Sequence, residues 1–191
     1  LAQLSHLALP LIGEGAAELD GETLPGEEAL RRAGIAPVVL GPKDGLALIS
    51  ANAATIGRAA LVIDDAQALA AAWRTAIALS FEGFRANLSP LDERAVSARP
   101  APGQVEVAAQ LRALLADGAL FMAGTARRVQ DPLSFRVVAQ VQGSLQAALA
   151  HVRALVGIEL ASAAESPLVI AAEGVMLSNG NFHVPALTVA L

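Results

Sequence analysis

At 191 residues the chain is long enough for a single domain, and 54% hydrophobic against 16% charged residues, with a mean hydropathy of +0.53, makes it unusually apolar. A formal net charge of −5, with Arg127-Arg128 merely a pair and no run of Lys or Arg interleaved with aromatics, excludes nucleic acid as the expected partner. The absence of cysteine excludes disulfides, thiolate chemistry and cysteine-type zinc sites, and it fits a reducing, cytoplasmic setting.

In chain order, LAQLSHLALPLIGEG (1–15) places apolar residues at 1, 4, 7, 8, 11 and 12, one face of a helix that ends at Gly13 and Gly15. Asp20-Gly21 is a turn signal between short strands, GEEALRRAG (26–34) reads as a short helix and APVVL (36–40) as a strand. A small β-hairpin or strand insertion is therefore expected near residues 17–40, as the only β-structure of the chain. After GPKDG (41–45) a long Ala-rich run reaches about Asn87 and reads as helix, with Gly57 a poor helix former within it and Asp64, Asp65, Arg74 and Glu82 among its few charges. A helix apolar around most of its circumference is expected as a central strut of a bundle.

Ser89-Pro90 followed by Asp92-Glu93 starts a short helix, RPAPG (99–103) breaks the chain, and VEVAAQLRALLADG (105–118) is an amphipathic helix closed by Gly118. Asp131-Pro132 signals another helix start, the Asp side chain accepting orphan N–H groups and proline supplying a preset φ, with the helix running to about Leu160. PLVI (167–170) reads as a short extended piece, and SNGNFHVPA (178–186) as a turn into a last helix. The class is all-α, a long-helix bundle. No unbroken apolar stretch reaches the roughly 18 residues of a membrane span, so no membrane is expected. Apolar residues on several helix faces instead predict burial in an oligomer or a longer chain. The start at Leu1, with no signal-peptide pattern, reads as a cut.

The chemistry-bearing residues are sparse. His6, His151 and His183 lie far apart and none has metal-ligand spacing, so no metal is expected. His6, between Leu4 and Leu7, reads as a hydrogen-bonded structural residue, His151 as a helix-face residue, and His183, after a Gly-Asn turn, as the most functional setting of the three. No GxSxG, P-loop or GxGxxG motif occurs; Asp64-Asp65 point to different azimuths of a helix, and Glu27-Glu28 and Asp92-Glu93 suit first helical turns. What remains is a set of amides and hydroxyls near helix ends, Ser50, Asn52, Gln130, Gln140 and Asn181, together with Arg136. A guanidinium fork matches a carboxylate bidentately, so these residues are candidates for holding an amino acid, against the plainer reading of Arg136 as a surface or interface arginine.

Five stretches together carry a family resemblance: LAQLSHLALPLIGEG (1–15), GPKDGLALIS (41–50), VQDPLSFRVVAQVQG (129–143), IELASAAESPLV (158–169) and SNGNFH (178–183). In order and spacing the chain resembles the histidine and aromatic amino acid ammonia-lyases. That resemblance implies a mostly helical, cytoplasmic homotetramer acting on an amino acid, with active sites drawn from several subunits. It also implies methylidene-imidazolone as electrophile, formed from an internal Ala-Ser-Gly that these 191 residues do not contain, and elimination of ammonia to an unsaturated acid. The chain then corresponds to an internal, central helical part of a longer enzyme, inactive alone and holding none of the catalytic electrophile. Arg136 matches the family's carboxylate-clamping arginine, and Gln130 and Phe182 match residues near that pocket; Ser50 and Asn52 complete the substrate-binding set.

Three positions depart from the family pattern. Leu133 stands for a tyrosine in a chain with no Tyr, Ser50 for an asparagine that Asn52 partly replaces, and Ala161 for another asparagine. Leucine neither donates a hydrogen bond nor moves a proton, so a step needing the phenol is lost or done otherwise. Two other readings follow, a catalytically silent homologue kept as a binding or assembly subunit, and a lyase or aminomutase for another amino acid.

Overall fold

The structure is a computed structural model and describes residues 1–50 and 52–190. Helix α1 (Ala2–Ala8) tightens into a 3-10 turn at Leu9–Ile12, followed by the hairpin of β1 (Ala16–Leu19) and β2 (Glu22–Pro25) and by α2 (Gly26–Ala33), α3 (Asp44–Ile49) and the 32-residue α4 (Ala53–Phe84). A 3-10 turn at Ser89–Leu91 leads into α5 (Glu93–Ser97) and α6 (Gln104–Leu114), and another at Ala119–Phe121 precedes α7 (Leu133–Arg136) and α8 (Val138–Leu160). The pair β3 (Leu168–Ile170) and β4 (Val175–Leu177) and helix α9 (Pro185–Ala190) complete the order. The all-α expectation stands, with two short antiparallel strand pairs, Ala17 facing Leu24 in one and Val169 facing Met176 in the other.

The chain divides into two compact units, one from Leu1–Ala59 with Val156–Val189 and the other centred on Ala60–Leu155. The first buries Leu24, Ala29, Ile56, Val156 and Leu187. The second has the denser core: Phe81, Leu91, Val96, Val107 and Leu111 are each at most 1% exposed, within a cluster that includes Ala78, Ala86, Ala108, Leu115, Leu120 and Ala139. In this core α6 meets α8 backbone to backbone. A Cβ on Gly143 would lie 2.5 Å from the Gln104 amide nitrogen, and one on Gly103, held at φ 76°, 2.2 Å from the Gly143 carbonyl oxygen, so only glycine fits either place.

Several boundaries differ from expectation. Residues 36–40 form no strand; Val38 gives its N–H to the Leu11 carbonyl alone, and Val39 is 92% exposed, because β-branched residues without a partner strand have no ladder to join. The long run after 41 is not one helix: α3 stops at Ile49, Ser50 is extended (φ −78°, ψ 171°), and α4 begins at Ala53. The helix expected from 132 to 160 is likewise split, one turn at 133–136, then Val137 at φ −104°, ψ 10°, then α8. Helix α6 ends at Leu114, before Gly118, with Asp117 left-handed at φ 64°. His6 is exposed at the end of α1 rather than tied into the structure.

The stretch Asp44–Phe84 reaches a mean hydropathy of 1.7 over its most apolar window, enough by length and composition to cross a membrane, although charged residues break its apolar run. Within it Ile63, Ala70, Ala78 and Phe81 are buried in the fold. Asp64, Asp65 and Arg74 interrupt its other faces, where Leu61, Leu69, Trp73 and Leu79 are 50–71% exposed.

Candidate functional site

The predicted site residues fall into two groups, one in each unit. In the first unit Ser50, Asn52 and Phe182 come together around an open cleft of about 400 Å³, also lined by Leu1, Leu46 and Ser166. Ser50 and Asn52 line a second cleft of about 420 Å³ that reaches Glu159, Ser162 and Glu165. The break between α3 and α4 makes both possible, since it turns Ser50 and Asn52 out of helical geometry. Asn52 donates from Nδ2 to the Phe182 carbonyl (2.7 Å), which pins the loop carrying that ring. The Ser50 hydroxyl is buried without a hydrogen-bond partner, an unmet polar group at the cleft wall. Lys43 and Glu165 pair at 2.6 Å, both half-buried, and so close this cluster's charges on themselves.

The loop behind Phe182 is a mesh of asparagine amides. Asn179 donates from Nδ2 to the Glu165 carbonyl (3.0 Å) and accepts at Oδ1 from the Asn181 N–H (2.9 Å), and Asn181 donates to the Ala163 carbonyl (3.3 Å). Asn181, flagged from sequence, is thus a loop staple. His183 is exposed, its N–H bonded to the Gly180 carbonyl.

In the second unit Gln130 and Arg136 come together on an open cleft of about 420 Å³ with Asn87, Ser89, Pro90, Val129 and Asp131. With its oxygen turned toward the arginine, the orientation that avoids donor facing donor, the Gln130 amide accepts from Nη2 (3.1 Å) and Nη1 (3.2 Å) of Arg136. Arg136 forms no ion pair among the described residues. Arg136 is exposed on this open cleft. The neighbouring Phe135 anchors the one-turn helix, stacking on Phe84 (centroids 4.4 Å apart) and meeting Phe81 edge-on (5.4 Å). Leu133 is 64% exposed.

Asp131 does not cap the helix that follows it. Helix α7 has no side-chain cap, and the Asp131 carboxylate, 5% exposed, accepts instead from the Asn87 backbone N–H (2.6 Å), its other oxygen being buried and unpartnered. Asn87 itself was not among the sequence candidates. Its Asx-turn to Ser89 (Ser89 N–H to Oδ1, 2.9 Å) was legible in Asn-Leu-Ser-Pro, but its donation from Nδ2 to the Val129 carbonyl (2.7 Å) spans 42 residues and left no local signal. Gln140 is half-buried with an unpartnered Oε1 and does not line this cleft. No group of three or more His, Cys, Asp or Glu positioned for a metal occurs among the described residues.

A family model described as aromatic amino acid lyase matches residues 1–191. Histidine ammonia-lyase of Anaeromyxobacter dehalogenans is 41% identical over 201 residues, covering 100% of this chain and 40% of that protein. Among solved structures, the ergothioneine-degrading ergothionase of Treponema denticola superposes with a TM-score of 0.89 at 31% identity, over 98% of this chain and 38% of that one. Histidine ammonia-lyase of Trypanosoma cruzi does so with a TM-score of 0.84 at 34% identity, over 98% and 35%. The chain spans about two fifths of the length of the curated relatives it matches. By the family match along its whole length and the shared helical fold, the chain belongs to the aromatic amino acid lyase family.

Proposed function

We propose that these residues form the carboxylate-binding part of an ammonia-lyase that removes ammonia from histidine or a related amino acid in the whole protein. The observation that carries the reading is Arg136, a cleft-lining guanidinium held by an amide and left without an anion, beside amino-acid-lyase relatives over the full chain. Arg136 takes the substrate carboxylate through its fork, and Gln130 fixes the plane of that fork. Ser50, Asn52 and Phe182 form a second candidate substrate-binding group within the other unit, with a free hydroxyl, a pinned amide and an aromatic wall on their own cleft. Leu133 supplies no phenol, so a proton moved by a tyrosine at this position elsewhere is moved here by another group.

The methylidene-imidazolone expected of the family supplies the electrophile that draws on the substrate's amine. Its Ala-Ser-Gly precursor is absent from the 191 residues, so no residue here builds it. The exposed apolar faces of α4 support assembly of copies into an oligomer, the tetramer of the family resemblance, in which further chain covers the open side of the Arg136 cleft. A cytoplasmic, amino-acid-degrading setting belongs to the same reading.

The test is to express the whole protein and follow ultraviolet-absorbing product from histidine, phenylalanine and tyrosine. Product from one of them is expected, and none from the isolated 191 residues. Silence with all three, in folded protein that carries the cyclised tripeptide, overturns it.

A further inference from the structure

The segment bearing Gln130 is not held by its own helix but by the far end of α4. Asn87 grips both neighbours of Gln130: its backbone N–H donates to the Asp131 carboxylate (2.6 Å) and its Nδ2 to the Val129 carbonyl (2.7 Å). Two more bonds lace the same strip of chain, Arg85 Nε to the Thr125 carbonyl (3.0 Å) and the Arg127 N–H to the Arg85 carbonyl (2.8 Å). Gln130, fixed at the residue before and the residue after, then holds both terminal nitrogens of Arg136. The asparagine amide meets both demands at once, Oδ1 accepting from Ser89 while Nδ2 donates to Val129; a carboxylate keeps only the acceptor and alanine keeps neither. We propose that Asn87 is a positioning residue for the carboxylate clamp, setting the aim of Arg136 through Val129, Asp131 and Gln130. The proposal rests on the reading of Arg136 given above.

The test uses the whole protein and two probes differing only in the carboxylate, L-histidine and its decarboxylated amine, histamine, the latter as competitive inhibitor. Where the whole protein prefers phenylalanine, the probes are phenylalanine and phenethylamine. Losing the Nδ2 bond to the Val129 carbonyl together with both bonds from Ser89 to Oδ1, Asn87→Ala is expected to raise KM about tenfold, with kcat within about twofold and the amine's inhibition constant within about twofold. Asn87→Asp, which keeps the acceptor for Ser89 but loses the donor to Val129, is expected to do the same and is the variant read if Asn87→Ala does not fold.

An unchanged KM in the Asn87 variants overturns the proposal, as does an equal loss of affinity for the amine, which marks general damage to the pocket. Arg136→Ala on the same probes separates the two readings. If it weakens the amino acid while the Asn87 variants do not, only the positioning role falls; if it leaves the amino acid's affinity unchanged, the clamp falls and the positioning role with it.

Discussion

The two polar clusters are built on opposite principles. Around Ser50 and Asn52 charge is cancelled inside the fold, Lys43 on Glu165, and the amides are spent on main-chain carbonyls at residues 163, 165 and 182. Around Arg136 the one buried acid, Asp131, is spent on a backbone N–H, and the cation is steadied by a neutral amide. An arginine not ion-paired with the nearby aspartate keeps its fork open to an anion from outside. The first cluster is therefore read as walls and the second as grip.

That contrast predicts a separation of stability from affinity. The largest effect belongs to Arg136→Ala, which in the whole protein is expected to weaken amino acid binding by about 2–4 kcal/mol once the cleft is enclosed, while shifting stability by no more than about 0.5 kcal/mol. Isothermal titration beside a denaturant melt checks both, and an unchanged affinity breaks the contrast. Asp131→Ala strips the Asn87 N–H of its buried acceptor and is expected to destabilise by about 1–3 kcal/mol, read from the denaturation midpoint. Glu165→Ala leaves Lys43 half-buried without its partner, and an intermediate cost of about 1–2 kcal/mol is expected, with a smaller change in affinity than that from Arg136→Ala. An affinity loss from Glu165→Ala as large as that from Arg136→Ala makes the first cluster a grip as well.

The smallest effect is electrostatic and local to α2. Hydrogen bonds from Arg31 and Arg32 hold the Glu28 carboxyl down at about 2, against 4.5 without them. A depressed carboxyl contributes stability that is complete above pH 4.5 and is lost as pH falls toward 2, so the ends of α2 are expected to fray in that window. Titrating the Glu28 side chain by NMR checks this, and in Glu28→Gln the acid-dependent step disappears.

Much of the helical layout was legible because its signals are local. Gly13, left-handed at φ 84°, ends the first helical segment as its sequence position implied, and Asp92 caps α5 through the Arg94 N–H. What escaped is non-local. The helix break at Ser50 is tied to Asn52 reaching a carbonyl 130 residues away, and Asp131 turned from capping its own helix to serving Asn87, 44 residues back. Val38 and Val39 looked like strand because propensity was counted without a neighbour to pair with, while β3 and β4, three residues each, were too short to raise more than an extended piece. The candidate pairs Gln130 with Arg136 and Asn52 with Phe182 each meet within one unit, but Asn87, which fastens one of them, had only its turn chemistry to announce it.

The meeting of Gly103 with Gly143 has a further consequence. Backbone atoms make that crossing, so any side chain placed at either glycine forces the two segments apart. Substitution is thereby closed at these two glycines, whereas an exposed position such as Leu133 meets no such backbone limit.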